Sequence, residues 1–146
     1  MRSDVGEKLR RQVADAAYHV CEYCLVHEDD TYWGCQVDHI ISRKHGGDSK
    51  PGNLAWACAI CNSNKGSDIA SFGRKSRKLA RLFHPRLDRW LAHFHLSETV
   101  IESTGDVGHA TVTMLRLNNS HRVEERTALA DVGRYPTVEA MARMNE

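Results

Sequence analysis

No apolar run in this chain approaches the roughly 20 residues that a helix needs to cross a bilayer. The opening segment, Met1 to Gln12, is charged and lacks the apolar stretch of a secretory leader. An excess of one charge is missing too. Twenty Lys and Arg face 19 Asp and Glu, leaving +1 at pH 7, so overall charge does not single out a nucleic-acid binder. No internal repeat or low-complexity tract is visible. What remains, 41% apolar and 27% charged residues over 146 positions, suits one globular domain with at most a small appendage. The expectation is an intracellular, cytoplasmic protein with no membrane partner.

Cysteine is present in a pattern that carries information. Two Cys-x-x-Cys pairs, Cys21-Glu22-Tyr23-Cys24 and Cys58-Ala59-Ile60-Cys61, bracket the dipeptide Asp38-His39. Four thiolates at this spacing can close a tetrahedral zinc site with two ligands from each knuckle. Disulfides are the alternative, but a reducing compartment favours metal. The fifth cysteine, Cys35, reads as a small buried hydrophobe.

The pattern of apolar residues predicts an N-terminal helix over residues 5–18, capped by Ser3 or Asp4. Gln36 to Ile41 reads as a short β-branched strand. His45-Gly46-Gly47-Asp48 and Pro51-Gly52-Asn53 are turn signals. Leu54 to Ala57 reads as a buried second strand or the approach to the knuckle, and a helix is expected from Asn62 through Lys65 and Ile69. Residues 89–96 alternate and read as a half-buried strand, with 100–103 pairing to it as a hairpin. Helices are expected over 107–117 and 120–130, and the last ten residues as frayed or weakly helical. The fold class expected is α+β. Residues 1–73 would form the core with its N-terminal helix, and 74–146 a basic segment, hairpin and helices packed on the same domain.

Phosphodiester hydrolysis needs an activated water and a means of absorbing charge on the leaving oxygen. A histidine titrates near neutrality and suits the first task, while a hard divalent cation held by oxygen ligands suits the second. Asp38 and His39 are adjacent, and strand neighbours point to opposite faces, so both serve one site only where the chain twists. Alone, such a pair is more often surface decoration. Arg74, Lys75, Arg77, Lys78, Arg81, Arg86 and Arg89 form a basic stretch after the second knuckle. Such a run is usually a solvated face, but beside a phosphate-cleaving site it suits a nucleic-acid backbone.

Val37-Asp38-His39-Ile40-Ile41, then His45-Gly46-Gly47, Asn53-Leu54, and Cys58-Ala59-Ile60-Cys61-Asn62-Ser63-Asn64-Lys65-Gly66 together resemble the zinc-stabilised branch of the HNH endonuclease family. The resemblance runs over residues 18–72 and implies a ββα-metal core. It implies His39 as the general base, Asp38 and Asn62 as ligands of a catalytic Mg²⁺ or Mn²⁺, and Asn53 as the residue that orients the base and holds the loop. Asn62 departs from the histidine that many members carry there, which favours a hard ion. Cys21, Cys24, Cys58 and Cys61 would bind structural zinc. DNA is the implied partner, with Lys65, Arg74, Lys75, Arg77, Lys78 and Arg81 on its backbone. Asn53 also suits a plain turn former after Pro-Gly, Asn62 a helix cap, Lys65 a solvated lysine, and Trp56 the core. The competing reading of the whole is a non-catalytic zinc ribbon that binds nucleic acid, for which Asp38, His39, Asn53 and Asn62 have no use.

Overall fold

The computed structural model describes residues 5–73 and 76–146. The expected caps Ser3 and Asp4, and the basic residues Arg74 and Lys75, lie outside the described residues. Among those described, no helix is long and apolar enough to cross a membrane.

The first helix, α1 (Glu7–Ala16), is shorter than its apolar spacing suggested. It starts after an extended Gly6 and stops where Tyr18 and His19 turn the chain with left-handed φ of 55° and 63°. Its inner face buries Val13 and Ala14. Arg10 lies 5.1 Å from the centre of the Trp56 ring, a cation–π contact that seats the helix on the strands. Trp56 is itself core, with its indole N–H donated to Glu28 Oε1 at 3.0 Å.

Strands β1 (Cys35–His39) and β2 (Leu54–Cys58) pair antiparallel, with Cys35 opposite Cys58 and His39 opposite Leu54. Helix α2 (Ala59–Lys65) follows β2 without a break, which completes a ββα unit. It begins three residues earlier than expected, because Cys58 caps it: the Cys58 Sγ accepts the Cys61 N–H at 3.4 Å. It ends at Gly66, whose φ of 53° no β-carbon favours, so Ile69 falls outside it.

Two further ribbons follow. Strands β3 (Ala70–Phe72) and β4 (Leu79–Arg81) pair antiparallel in a segment for which no strand was expected. The strand expected over 89–96 is corrected. Trp90–His93 is a helical turn, α3, and only Phe94–Ser97 is strand, β5, which pairs with β6 (Val100–Ser103) as anticipated. Trp90 and Phe94 are both buried, and their spacing of four suits a helical turn as well as it suits a strand. Helices α4 (Gly105–Leu115) and α5 (Ser120–Asp131) lie close to their expected bounds.

The C-terminus is not frayed. Helix α6 (Val138–Met144) is capped by Thr137 and buries Arg143. Its anchor is Glu22, the second residue of the first knuckle, which is 0% exposed. Glu22 Oε2 accepts the Trp56 N–H at 2.7 Å and pairs with Arg86, while Oε1 accepts Arg143 Nε at 2.9 Å. One carboxylate thus holds β2, the segment after β4 and the last helix. Arg86, counted in the basic stretch on sequence, is part of this buried network and also donates to the Leu54 carbonyl. Breaking a buried ion pair by removing one partner costs about 3–5 kcal/mol, because the other charge is left uncompensated. Glu22→Ala is therefore expected to lose that much in urea unfolding. A loss below about 1 kcal/mol, the scale of an exposed pair, would show that the network does not anchor the C-terminal helix.

Candidate functional site

The four knuckle sulfurs, those of Cys21, Cys24, Cys58 and Cys61, all lie within 4.8 Å of one another and are buried. The Cys24 and Cys58 sulfurs are 3.8 Å apart. A tetrahedral zinc with Zn–S of about 2.3 Å has sulfur–sulfur edges of about 3.8 Å, so the donor set fits that ion. Cys35 is outside the group; burial pushes its thiol well above the usual range, which suits an inert core residue.

A zinc with four thiolates carries a net charge of −2, and the surroundings answer it. Arg122, from α5, donates to Cys61 Sγ at 3.2 Å and lies 3.9 Å from Cys58 Sγ, with Nη1 on the Leu115 carbonyl at 3.2 Å. Burial works against its charge, but the attraction of Cys61, Cys24 and Cys58 holds its pKa above the usual value. Tyr135 adds a hydrogen bond from its hydroxyl to the Cys24 carbonyl at 2.8 Å. Neither residue was singled out on sequence, since nothing local links positions 122 and 135 to knuckles some 60 and 110 residues away.

The second group lies at the opposite end of β1. Asp38 is 2% exposed and Lys65 1%. Asp38 Oδ2 accepts the Tyr23 hydroxyl at 2.7 Å, and Oδ1 accepts Lys65 Nζ at 3.2 Å. Burial pushes the Asp38 carboxyl up, while Lys65 and the Tyr23 hydrogen bond pull it down; the net shift is upward. Lys65 Nζ also reaches the His39 carbonyl at 3.1 Å. The expectation that Lys65 touches a phosphate is corrected: its ammonium is the internal counter-ion of Asp38, drawn inside because a lone buried carboxylate would be costly.

His39 is the last residue of β1, where the regular alternation of the strand ends, and it lies less deep than Asp38. It is half-buried, and its Nε2 is 2.9 Å from Ser49 Oγ. Ser49 belongs to the loop between β1 and β2, which Asn53 holds in shape. Asn53 Oδ1 accepts the Ile41 N–H at 2.8 Å, and Nδ2 donates to the carbonyls of Ile41 at 2.9 Å and Asp48 at 2.8 Å. Gly46 supplies a left-handed φ of 87°. A β-carbon on Gly47 would lie 1.7 Å from the Ile41 carbonyl oxygen, so only glycine fits there. His45 sits exposed in the short 3₁₀ turn Arg43–His45. Asn62 is half-buried on α2, one turn before Lys65 and so on the same helix face, the face that reaches β1 through Lys65.

Of the expected cationic contacts, Arg77 and Lys78 are exposed between β3 and β4. Arg81 is paired with Asp88, Nη1 to Oδ2 at 2.6 Å and Nη2 to Oδ1 at 2.9 Å.

This geometry, a zinc-fitted knuckle pair clamping a ββα unit that ends β1 on Asp-His, accords with the comparison with family models. Residues 21–68 match the HNH endonuclease family. The match covers roughly a third of the chain and ends just before β3. Comparison with curated proteins and with solved structures gives no match. The matched segment is thus mixed α and β, with four cysteines positioned to bind a metal, and the match points to a nuclease-type function. The chain from β3 onward lies beyond the matched residues, yet Arg86, Arg122, Tyr135 and Arg143 reach back from it to the knuckle residues.

Two outcomes test the site. Cys58→Ser removes one zinc ligand and is expected to lower both zinc content and melting temperature, because structural zinc contributes folding free energy. Parental zinc content in that variant would overturn the four-cysteine assignment. Asn53→Ala removes three hydrogen bonds at about 1 kcal/mol each, so a loss of roughly 2–3 kcal/mol is expected by denaturant unfolding with zinc content intact. An unchanged unfolding midpoint would show that the loop is held by other means.

Proposed function

We propose that this protein is an endonuclease that hydrolyses DNA phosphodiester bonds with a divalent cation. His39 is the general base that takes a proton from the attacking water. Asp38 and Asn62 supply the oxygen donors for Mg²⁺ or Mn²⁺, and zinc in the four-cysteine site is structural. The observation that carries this reading is a clamped loop set directly after a half-buried histidine. Three Asn53 hydrogen bonds fix the backbone just past His39, while the His39 ring itself remains half-buried at that loop. A ribbon whose only task is to bind has no need of that arrangement.

The donor chemistry suits a hard ion. An ionised carboxylate oxygen has two lone-pair sites, so Asp38 Oδ1 can serve a cation while Lys65 Nζ remains at 3.2 Å. Such a cation, when bound, offsets charge on the phosphate and on the leaving 3′-oxygen. The protein's own residues do the rest. Lys65 works against the upward push of burial on the Asp38 carboxyl and ties the His39 carbonyl to α2. Tyr23 fixes the second Asp38 oxygen. The Ser49 hydroxyl sets the tilt of the His39 ring. Exposed Arg77 and Lys78, with Arg74 and Lys75 beside them in sequence, would follow the phosphate backbone without reading bases.

The test is nicking of supercoiled plasmid with and without Mg²⁺. General-base catalysis contributes about 10²–10⁴ in rate, so His39→Ala is expected to lose at least about a hundredfold while keeping its zinc and its fold. Nicking at the parental rate by that variant would sink the mechanism. A parent that binds plasmid but never nicks it would instead support the zinc-ribbon reading.

A further inference from the structure

The β3–β4 ribbon carries a feature that the nuclease reading does not use. Phe72 and Leu79 are 63% and 68% exposed, and they face each other directly across the two strands. Arg81 is two residues from Leu79 along β4 and so shares its face. Side by side on a water-facing ribbon, the two make a contiguous apolar patch rather than scattered exposed residues. Cations stand beside them, and one acid, Asp106, lies against Gly73 next to Phe72. Arg77, Lys78 and Arg116 are exposed and make no side-chain hydrogen bond or ion pair among the described residues, whereas Arg81 is neutralised by Asp88.

Phe72 and Arg77 line one side of an open groove, and Val112, Thr113 and Arg116, at the end of α4, line the other with Asn119, the cap of α5. Both groove arginines adopt left-handed backbone, φ 58° at Arg77 and 53° at Arg116. Glycine is the residue that such positions favour, above all at a helix C-terminus like that of α4. Arginine at both lips of one groove places a charged side chain where the backbone alone would select none, and strain of this kind collects at functional sites.

We propose that the β3–β4 ribbon docks duplex DNA. The Phe72–Leu79 pair lies against base edges or an opened base step, and Arg77, Lys78 and Arg116 hold the flanking phosphates. A two-stranded ribbon has the width of a DNA groove, and apolar side chains that press between base steps are a known means of gripping a duplex. The positive rim is what selects DNA over a protein partner for this apolar pair. The inference rests on the nuclease reading and adds to it a grip on double-stranded substrate, outside the HNH segment.

The experiment is fluorescence anisotropy of a labelled 20-base-pair duplex in Mg²⁺-free buffer, at several salt concentrations, with the full chain. Phe72→Ala/Leu79→Ala is expected to weaken binding about tenfold, the loss of a partial apolar wedge, without changing the salt dependence. Arg77→Ala/Lys78→Ala is expected to weaken it too and to reduce the slope of log K against log salt by about 1.8, at about 0.9 per phosphate contact. Both sets of side chains are exposed, and unchanged zinc content checks that the variants fold. Parental affinity and slope in both variants would overturn the docking role while leaving the nuclease reading intact. A parent that neither binds nor nicks duplex would overturn both. A Phe72→Ala/Leu79→Ala protein that changes from dimer to monomer in light scattering, at undiminished affinity per chain, would assign the ribbon to contact between copies and overturn the proposal.

Discussion

The structure depends on bringing four sulfurs from positions 21, 24, 58 and 61 into one buried group. That constraint sets the ββα unit. Cys58 is the last residue of β2 and the cap of α2 at once, so the strand must end and the helix must start where the metal site demands. The N-terminal knuckle has to meet that point, which turns the chain sharply after α1. A zinc with four thiolates is also a concentrated negative charge in a dry place, and a buried charge needs compensation. Arg122 provides it from the far end of the chain. The knuckles therefore organise the C-terminal helices as well as the strands between them.

The same logic recurs twice. Glu22 sits inside the first knuckle and gathers Arg86 and Arg143. Asp38 sits inside the ββα unit and gathers Lys65 and Tyr23. Each is an acid buried beside the metal module, and each draws a cation from a distant element. The consequence is a division of labour among basic residues: Arg86, Arg122, Arg143 and Lys65 are structural and internal, while Arg77, Lys78 and Arg116 face water. A net charge of +1 hides this, because it does not separate the cations held by buried groups from those that face water.

How much was legible in the sequence differs between the two halves. The knuckles, the strand around Asp38-His39, the Gly46-Gly47 turn and Asn53 all depend on contacts between near neighbours, and their spacing announces them. Helix α2 was misplaced by three residues because cysteine is not an ordinary cap; only the metal site explains that start. Trp90 to Phe94 was read as strand because a spacing of four fits an alternating run and a helical turn alike. Lys65 looked like a surface lysine because no local pattern reveals that Asp38, across the sheet, would be buried beside it. The final helix read as frayed or weakly helical because its anchor, Arg143 on Glu22, spans 121 residues.

By itself, the sequence determined which four cysteines come together, the ββα order and the turn held by Asn53 after Asp38 and His39, since each follows from residue types at short, fixed spacing. Tertiary structure alone decided which charges are buried. Pairing across the fold turned Lys65, Arg86, Arg122 and Arg143 inward and left Phe72, Leu79, Arg77 and Arg116 facing water. The reason is physical: a buried charge is tolerable only beside its opposite, and that partner is chosen by the packing of distant elements, which no local pattern records.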